Sequence, residues 1–356
     1  MSAAGAGVRC MLLRGGTSKG AYFLAEDLPQ DASDRDDLLL RTMGTPDPRQ
    51  IDGIGGAHPL TSKVAVVAPS RHEDADVDYL FLQLGVAEEF VSDRQNCGNL
   101  LAGVGPFAVE RGLVPAGDGT TSVRIRMVNS DSLAVATFPT PGGAPTYSGD
   151  TAISGVPGTA AGITLDFAGT EGSACASLLP TGNRSDVVDG VEVTCVDNGM
   201  PVVVARPGDF GLTGYESVDE LAADQRLRER VQSLRVAAGE LMGLGDVSAT
   251  SVPKTTLVAP ARDGGTLCTR TFIPLEPHTS IGVLGAVSVA TATLLDGAVG
   301  HDLVEHPVSR FDVEHPTGKL SVEAEVDTTA DPPRVLRSGV VRTARKLFDG
   351  TTFPRS

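Results

Sequence analysis

The 356-residue sequence contains no tryptophan and only four tyrosines. Aromatic platforms on which nucleic-acid bases stack are therefore scarce. Basic residues never form a run longer than two, and the formal net charge is −16 at pH 7. These features exclude nucleic acids and anionic membrane surfaces from the expected partners.

Hydrophobic runs long enough to cross a membrane are also missing. The longest apolar stretch, residues 281–295, is interrupted by hydroxyl side chains and is shorter than the roughly 20 residues that a bilayer requires. The first residues include Arg9 and Arg14 but no apolar core of a signal peptide. We therefore predict a cytoplasmic protein without a membrane partner.

The five cysteines, at positions 10, 97, 175, 195 and 268, are odd in number and widely separated. This spacing argues against a disulfide framework and lacks the close pairs of a zinc site, so no metal is expected. The chain is longer than one hydrophobic core usually supports, which favours two domains.

An internal repeat supports the same division. Three pairs of segments match in the same order: 14–20 with 197–201, 60–69 with 251–260, and 99–105 with 280–286. In the middle pair a polar turn precedes a lysine, Lys63 or Lys254, and then a strand. Chance similarity among segments rich in Val, Ala and Gly is the alternative. The prediction is two pseudo-equivalent domains, residues 1–182 and 183–335, facing each other across a cleft, with a tail, 336–356, that returns to the first.

Residue periodicity predicts many short strands and few helices. The predicted helices are 34–43, 100–111, 217–242 with an interruption, and 281–296. The predicted strands include 21–24, 64–68, 79–84, 123–128, 133–138, 190–196 and 201–205. The helices at 100 and 281 are rich in small residues, so we expect a curled sheet wrapped around one such helix in each domain. The fold class is α+β.

Cys97 lies in the polar turn 95–99, immediately before the apolar run that begins at Leu100. If that run is a helix, the thiol is at its N-terminus, where unpaired N–H groups and the helix dipole favour an anion. Thiols in such positions ionise readily and serve as proton carriers or nucleophiles. The alternative is a buried structural cysteine.

Several motifs together resemble the methylaconitate isomerase (PrpF) family over essentially the whole chain. They are residues 14–20, 50–56, 62–63, 95–99, 104–108, 196–201, 278–290 and 341–345. The resemblance implies a diaminopimelate-epimerase-like fold with two pseudo-symmetric domains and a cofactor-independent active site between them. It also implies an isomerase that acts on a small tricarboxylate.

The resemblance further implies that Lys63 and Cys97 are the catalytic pair. A desolvated Lys63 could act as the base, or a Cys97 thiolate could do so while Lys63 stabilises the enolate; we favour Lys63. A solvated lysine at a strand end is the alternative. In the second half of the chain, racemases of this fold carry a cysteine where this sequence has His278, which counts against an amino-acid epimerase.

Substrate carboxylates are expected to meet small polar groups and a few cations near the ends of the repeated segments. The candidates are Arg14, Thr17, Ser18, Lys19, Asn96, Gly98, Asn99, Lys254, Arg270, His278 and Ser280. Ser18 and Lys19 could instead be turn residues only. His278 could polarise a ketone, hold a carboxylate or only cap the following helix.

The expected reaction is keto–enol tautomerisation of 4-oxalomesaconate in aromatic-acid catabolism. An allylic isomerase of 4-oxalomesaconate or 2-methylaconitate would use the same pair and return the proton to a different carbon. A non-catalytic tricarboxylate-binding protein would need neither Lys63 nor Cys97. A thiol hydrolase is disfavoured because no histidine lies in a recognisable partner motif. Association into homo-oligomers is left open.

Overall fold

The computed structural model describes residues 7–93, 97–167 and 169–355. The chain divides into two compact units. The described residues up to Asp166, together with those from Val341 onward, form the first unit, and Phe167–Val340 forms the second. The division therefore falls before the predicted boundary at 182, because residues 167–182 pack with the second unit.

The first unit is built mainly from strands. They are β1 (Val8–Gly15), β2 (Ser18–Leu24), β3 (Lys63–Pro69), β4 (Val77–Leu84), β5 (Val91–Ser92), β6 (Gly119–Met127), β7 (Ser132–Thr140) and β8 (Gly162–Phe167). Two helices accompany them, α1 (Ala32–Met43) and α2 (Gly98–Glu110). Strands β1 and β2 form a hairpin, β2 runs parallel to β3, and β3 is antiparallel to β4.

Helix α2 is the centre of the first unit. It contacts β1, β2, β3, β4, β6 and β7, and its residues from Leu100 to Ala108 are all buried. Small residues permit this close fit: a Cβ added at Gly103 would lie 2.4 Å from the hydroxyl of Tyr22. Helix α1 covers the other face of the sheet, where Leu39 and Met43 pack with Cys10 and Phe23. The prediction of a sheet around a small-residue helix is confirmed here.

The second unit repeats this arrangement. Its elements are β9 (Asp186–Val188), β10 (Val191–Asp197), β11 (Pro201–Ala205), α3 (Val218–Ala223), α4 (Gln225–Leu241), β12 (Lys254–Ala259), β13 (Leu267–Ile273), β14 (Glu276–Pro277), α5 (Val283–Thr293), β15 (Arg310–His315) and β16 (Gly318–Asp327). Strands β10 and β11 form a hairpin, and β11 runs parallel to β12, as β2 does to β3. Helix α5 contacts β10, β11, β15 and β16, whereas α3 and α4 cover the other face.

One long strand belongs to both units. Strand β17 (Arg334–Thr352) pairs with β16 up to Val340, and from Ala344 to Thr352 it pairs with β1. The return of the chain to the first unit thus begins at Val341, later than the predicted tail at 336, because the first part of the strand completes the sheet of the second unit.

The four predicted helices are confirmed within a few residues, including the interruption of the third, where Asp224 ends α3 and caps α4. The capping box at Ser217 and Glu220 is also present. The seven predicted strands correspond to β2, β3, β4, β6, β7, β10 and β11. Within the described ranges, none of the helices combines the length and apolar character needed to cross a membrane.

Candidate active site

Lys63 is the first residue of β3, and its side chain is only 7% exposed. Its Nζ donates a hydrogen bond to Gln83 Oε1 at 2.6 Å and lies 5.0 Å from the centre of the Phe81 ring. Gln83 is itself oriented, because its amide nitrogen donates to backbone carbonyls, including that of Ser62 at 3.1 Å. No carboxylate pairs with Lys63 among the described residues. The amine is therefore held by a neutral partner in a largely water-free position.

Cys97 occupies the N-cap position of α2, as the sequence predicts for a helix start. Its side chain makes no capping hydrogen bond, and it is half-buried. The backbone of this first turn is anchored from below by two tyrosines: Tyr79 donates to the carbonyl of Cys97 at 3.3 Å, and Tyr22 donates to the carbonyl of Leu100 at 2.6 Å. The thiol is thus fixed at the helix start and remains available for chemistry.

Both phenols are suited to this anchoring because they stay protonated. Burial raises the pKa of Tyr22 and of Tyr79 well above the usual value, and the electrostatic interaction with the nearby Cys97 raises both further. A phenol that keeps its proton keeps donating to the helix carbonyl.

The hairpin turn between β1 and β2 also reaches the start of α2. Asn99 Nδ2 donates to Thr17 Oγ1 at 3.0 Å and contacts Ser18 Oγ at 3.4 Å. Gly16 has a positive φ of 52°, and a Cβ there would lie 2.3 Å from Asn99 Oδ1, so the turn requires glycine. Three predicted substrate-binding residues, Thr17, Ser18 and Asn99, are therefore brought together.

The same face of the sheet carries Lys63 and the first turn of α2. Gly20 is the cross-strand partner of Lys63, and a Cβ on Gly20 would lie 2.6 Å from the side chain of Leu100. Gly98 has open space where its Cβ would be, so nothing in the described structure covers the helix start at that point. Lys63 and the start of α2, which carries Cys97 and Asn99, therefore lie on the same face of the sheet.

Arg342 is a candidate that the sequence analysis did not single out. Side chains alternate along β17, so Arg342 lies on the same face as Ala344, the partner of Gly15. That face is turned towards the start of α2, because a Cβ on Gly15 would lie 2.5 Å from the Asn99 carbonyl oxygen. Its only hydrogen bond among the described residues is to the Val341 carbonyl, at 3.3 Å. Burial lowers the pKa of Arg342 to about 10. The signal available from sequence was an arginine inside the family-like motif 341–345.

Arg14 and Lys19 lie elsewhere. They are cross-strand partners, and Lys19 precedes Gly20, so alternation places both on the face opposite to Lys63. Arg14 Nη1 donates to the carbonyls of Gly16 and Thr343 at 2.8 and 3.1 Å. The structure therefore does not bring these two predicted cations together with the predicted catalytic pair, Lys63 and Cys97.

In the second unit Lys254 has a position comparable to that of Lys63. It begins β12, is half-buried, and its Nζ would be 3.9 Å from a Cβ on Gly282, the N-cap of α5. Burial lowers the pKa of Lys254. Lys254 is therefore near a helix start, but that helix begins with glycine instead of cysteine.

His278 and Ser280 form a small polar turn ahead of α5. The backbone N–H of Ser280 donates to His278 Nδ1 at 2.9 Å, and Ser280 Oγ lies 3.2 Å from His315 Nε2. Thr317 Oγ1 donates to the Thr279 carbonyl at 2.8 Å. One ring nitrogen of His278 thus shapes the turn before α5, but His278 does not cap that helix, whose N-cap is Gly282 without a side-chain capping bond.

Arg270 has a different environment from the other candidates of this unit. It pairs with Leu257, whose side chain packs under α3 and α4, so it lies on the face away from Lys254. Its guanidinium donates to the carbonyls of Glu216 at 2.6 Å and Thr269 at 2.8 Å. Arg270 therefore tethers the segment before α3.

The remaining prediction, Asn96, lies outside the described residues. Within those residues no group of three or more His, Cys, Asp or Glu side chains is arranged to hold a metal ion.

Comparison with known proteins places this geometry in context. The family described as PrpF protein matches residues 6–354. The (4E)-oxalomesaconate Delta-isomerase of Novosphingobium sp. (strain KA1) is 56% identical over 97% of this chain and 96% of its own length. The 4-oxalomesaconate tautomerase of Pseudomonas putida is 54% identical over 96% and 95%. The crystal structure of methylitaconate-delta-isomerase has a TM-score of 0.89 at 31% identity, covering 98% of this chain and 96% of the other.

Proposed function

Because this chain belongs to the PrpF family, we propose that it catalyses the keto–enol tautomerisation of 4-oxalomesaconate. It is an isomerase with a diaminopimelate-epimerase-like fold, in which each unit wraps a sheet around a helix. The substrate assignment is supported by the relative named 4-oxalomesaconate tautomerase, at 54% identity. The observation that carries it is the placement of Lys63 and Cys97 on one face, at the start of α2.

The proposed chemistry begins with removal of a proton from the methylene carbon between the ketone and the double bond. The Lys63 amine takes this proton, a role that is supported by its low exposure and its hydrogen bond to the neutral Gln83. The electron pair moves onto the ketone oxygen, giving a dienolate, and the Cys97 thiol delivers a proton to that oxygen. The resulting ammonium and thiolate exchange a proton through solvent to restore the pair.

Binding of the carboxylates is proposed to use the polar groups around the helix start. Asn99, Thr17 and Ser18 supply neutral donors, and Arg342 supplies a half-buried positive charge without a described carboxylate partner. A guanidinium binds a carboxylate through two parallel N–H groups, which fixes the plane of the substrate as well as its charge.

The test is ultraviolet absorbance after the enzyme is added to freshly prepared keto 4-oxalomesaconate, since the enol product has extended conjugation. We expect acceleration over the spontaneous rate that is lost in Cys97→Ser. In deuterated water the methylene protons should exchange in the presence of the wild-type protein. Binding without exchange would contradict the proposal and indicate a non-catalytic tricarboxylate-binding protein.

Allylic isomerisation is the second candidate, favoured by the 56% identical relative named a Delta-isomerase. It would begin with the same proton removal and return the proton to another carbon. Proton NMR of the product separates the two reactions, because tautomerisation removes one methylene proton, whereas allylic transfer forms a new carbon–hydrogen bond at the far end of the double bond. Cytoplasmic location, the absence of nucleic-acid partners and homo-oligomerisation stay predictions.

A further inference from the structure

A second pocket of about 250 Å³ lies in the first unit, on the face of the sheet opposite to Lys63. Three cationic side chains line it: Arg14, Lys19 and Arg345. The rest of its wall comes from Thr343, Leu347 and the loop segment 153–159. None of the lining residues is acidic, which is unusual in a chain with a net charge of −16.

The three cations are aligned by the strand register. Arg345 of β17 is the partner of Arg14 in β1, and Arg14 is the partner of Lys19 in β2. Side chains at such positions are about 5 Å apart at their Cβ atoms, and like charges directly opposite each other are destabilising. Burial and the neighbouring charge of Arg345 lower the pKa of Arg14. The row therefore stores a repulsion that a bound anion would relieve.

No carboxylate in the described parts of the chain relieves it. Arg14 donates only to the carbonyls of Gly16 and Thr343 and to the Thr343 hydroxyl. The side chains of Lys19 and Arg345 have no hydrogen bond or ion pair with another described residue. The pocket is also lined by the apolar residues Ile153, Val156, Pro157 and Leu347.

From this cavity, its row of cations and its apolar wall, we propose that the pocket binds a small organic dianion with an apolar body. The two anionic groups contact the cation row, and the body packs against the loop and Leu347. This site is separate from the proposed active site because the sheet lies between them.

The pocket is also connected to the hairpin turn of the active-site face. Arg14, which lines the pocket, holds the carbonyl of Gly16, and a Cβ on Gly155 of the lining loop would lie 3.3 Å from Thr17. A ligand that binds the guanidinium of Arg14 therefore also affects the turn of Gly16 and Thr17, which positions Asn99.

Isothermal titration calorimetry of the full chain with terephthalate and with inorganic phosphate tests this inference. We expect one terephthalate site, weakened about tenfold in Arg345→Ser, the cost of one charge-assisted hydrogen bond. Arg71→Ser is the matched control, since Arg71 is an exposed arginine of the same unit and the change in net charge is equal. Affinity should be unchanged in Arg71→Ser and in Lys63→Met.

Each contrary result overturns a stated part of the proposal. Absence of terephthalate binding removes the site. Equal weakening in Arg71→Ser reduces the effect to net charge, and loss of binding in Lys63→Met moves the ligand to the active-site face. If phosphate binds as tightly as terephthalate, the ligand does not need an apolar body, and that part of the proposal is wrong. These outcomes do not depend on whether the tautomerase activity itself is found.

Discussion

The two units place a lysine at the same point of the same topology, yet the surroundings of the two lysines differ. Lys63 is hydrogen-bonded to Gln83 and lies over an aromatic ring. Lys254 is half-buried, its side chain has no hydrogen bond or ion pair among the described residues, and burial lowers its pKa. The nearby helix begins with Cys97 in the first unit and with Gly282 in the second. A repeated fold therefore provides two equivalent positions, of which one carries the proposed acid–base pair.

The central helices are also held by different chemistry. In the first unit, tyrosine hydroxyls donate to carbonyls of the first turn of α2. In the second unit, the buried Asn198 donates to Thr291 of α5 and to Ser338, both at 2.8 Å, and Ser288 donates to the Met200 carbonyl at 2.8 Å. The first unit thus anchors the end of its helix that bears the thiol, whereas the second anchors the helix middle.

The largest expected effect separates the two lysines. Lys63→Met should reduce kcat by about 10²- to 10⁴-fold, the usual contribution of a positioned acid or base, and Lys254→Met by less than about tenfold. Initial rates from ultraviolet absorbance measure both, with circular dichroism as the control for folding. Equal losses in the two variants would break the comparison, because both lysines would then take part in the chemistry.

Next in size is an alkaline loss of stability that involves both units. Burial raises the pKa of Cys10 in the first unit and of Cys195 in the second from 9.0 to about 12. Both thiols stay protonated in the folded state while the unfolded state ionises above pH 9. Their contribution to stability is therefore complete below pH 9 and is lost as the pH rises towards 12, by about 1.4 kcal/mol per pH unit for each thiol.

Urea unfolding between pH 8 and 11 measures this loss. Cys10→Ala and Cys195→Ala should each flatten the dependence of unfolding free energy on pH above 9. Similar flattening would indicate that the outer cores under α1 and α4 are equally closed to water. An unchanged slope in both variants would contradict the assignment of the alkaline loss to these thiols.

A smaller effect concerns the orientation of Lys63. Gln83→Met keeps the side-chain length and removes the 2.6 Å acceptor, so we expect kcat to fall by about tenfold through the loss of about one hydrogen bond. Because Gln83 acts through Lys63, its loss should also shift the pH profile of kcat. A fall in kcat with an unchanged profile would assign Gln83 a structural role only.

The smallest expected effect is that of the tyrosine anchor. Tyr79→Phe removes one hydrogen bond to the Cys97 carbonyl and should lower the free energy of unfolding by about 1 kcal/mol. Chemical denaturation measures this, and the reactivity of Cys97 with a thiol reagent measures the helix start. No second-unit element offers the matching variant, since α5 has no tyrosine beneath its first turn in the described residues. Unchanged stability would show that the hydrogen bond from Tyr79 does not stabilise the start of α2.

The hydrophobic periodicity and the turn-forming residues of the sequence predicted much of the fold. The apolar run after Cys97 and the lysine-then-strand repeat are local signals, and each corresponds to a helix or strand in the structure. The change of units at Phe167 had no such signal, since no shift in composition marks it. Strand β17 was also missed as a strand, because its pairing partners are distant in sequence and its exposed basic residues weaken the apolar pattern.

Only some positions of the candidate site could be predicted from the sequence. Alternation along β2 already implies that Lys19 and Gly20 face opposite sides, so the separation of Lys19 from Lys63 was available once the parallel pairing was known. Arg270 was chosen for its charge alone, and only the structure reveals that backbone carbonyls use its guanidinium. Arg342 required the register of β17, which brings a residue near the end of the chain to the face that contacts the start of α2.

The long strand β17 also determines the order in which the protein can be completed during synthesis. Val8 pairs with Thr352, so the outer neighbour of β1 is a segment that lies far downstream in the sequence. All residues of Phe167–Val340 are translated before the first unit has its full sheet. Until then β1 presents an unpaired edge, the kind of surface that recruits other chains. The second unit is therefore the one that can fold first, and the N-terminal part of the chain waits for its closing strand.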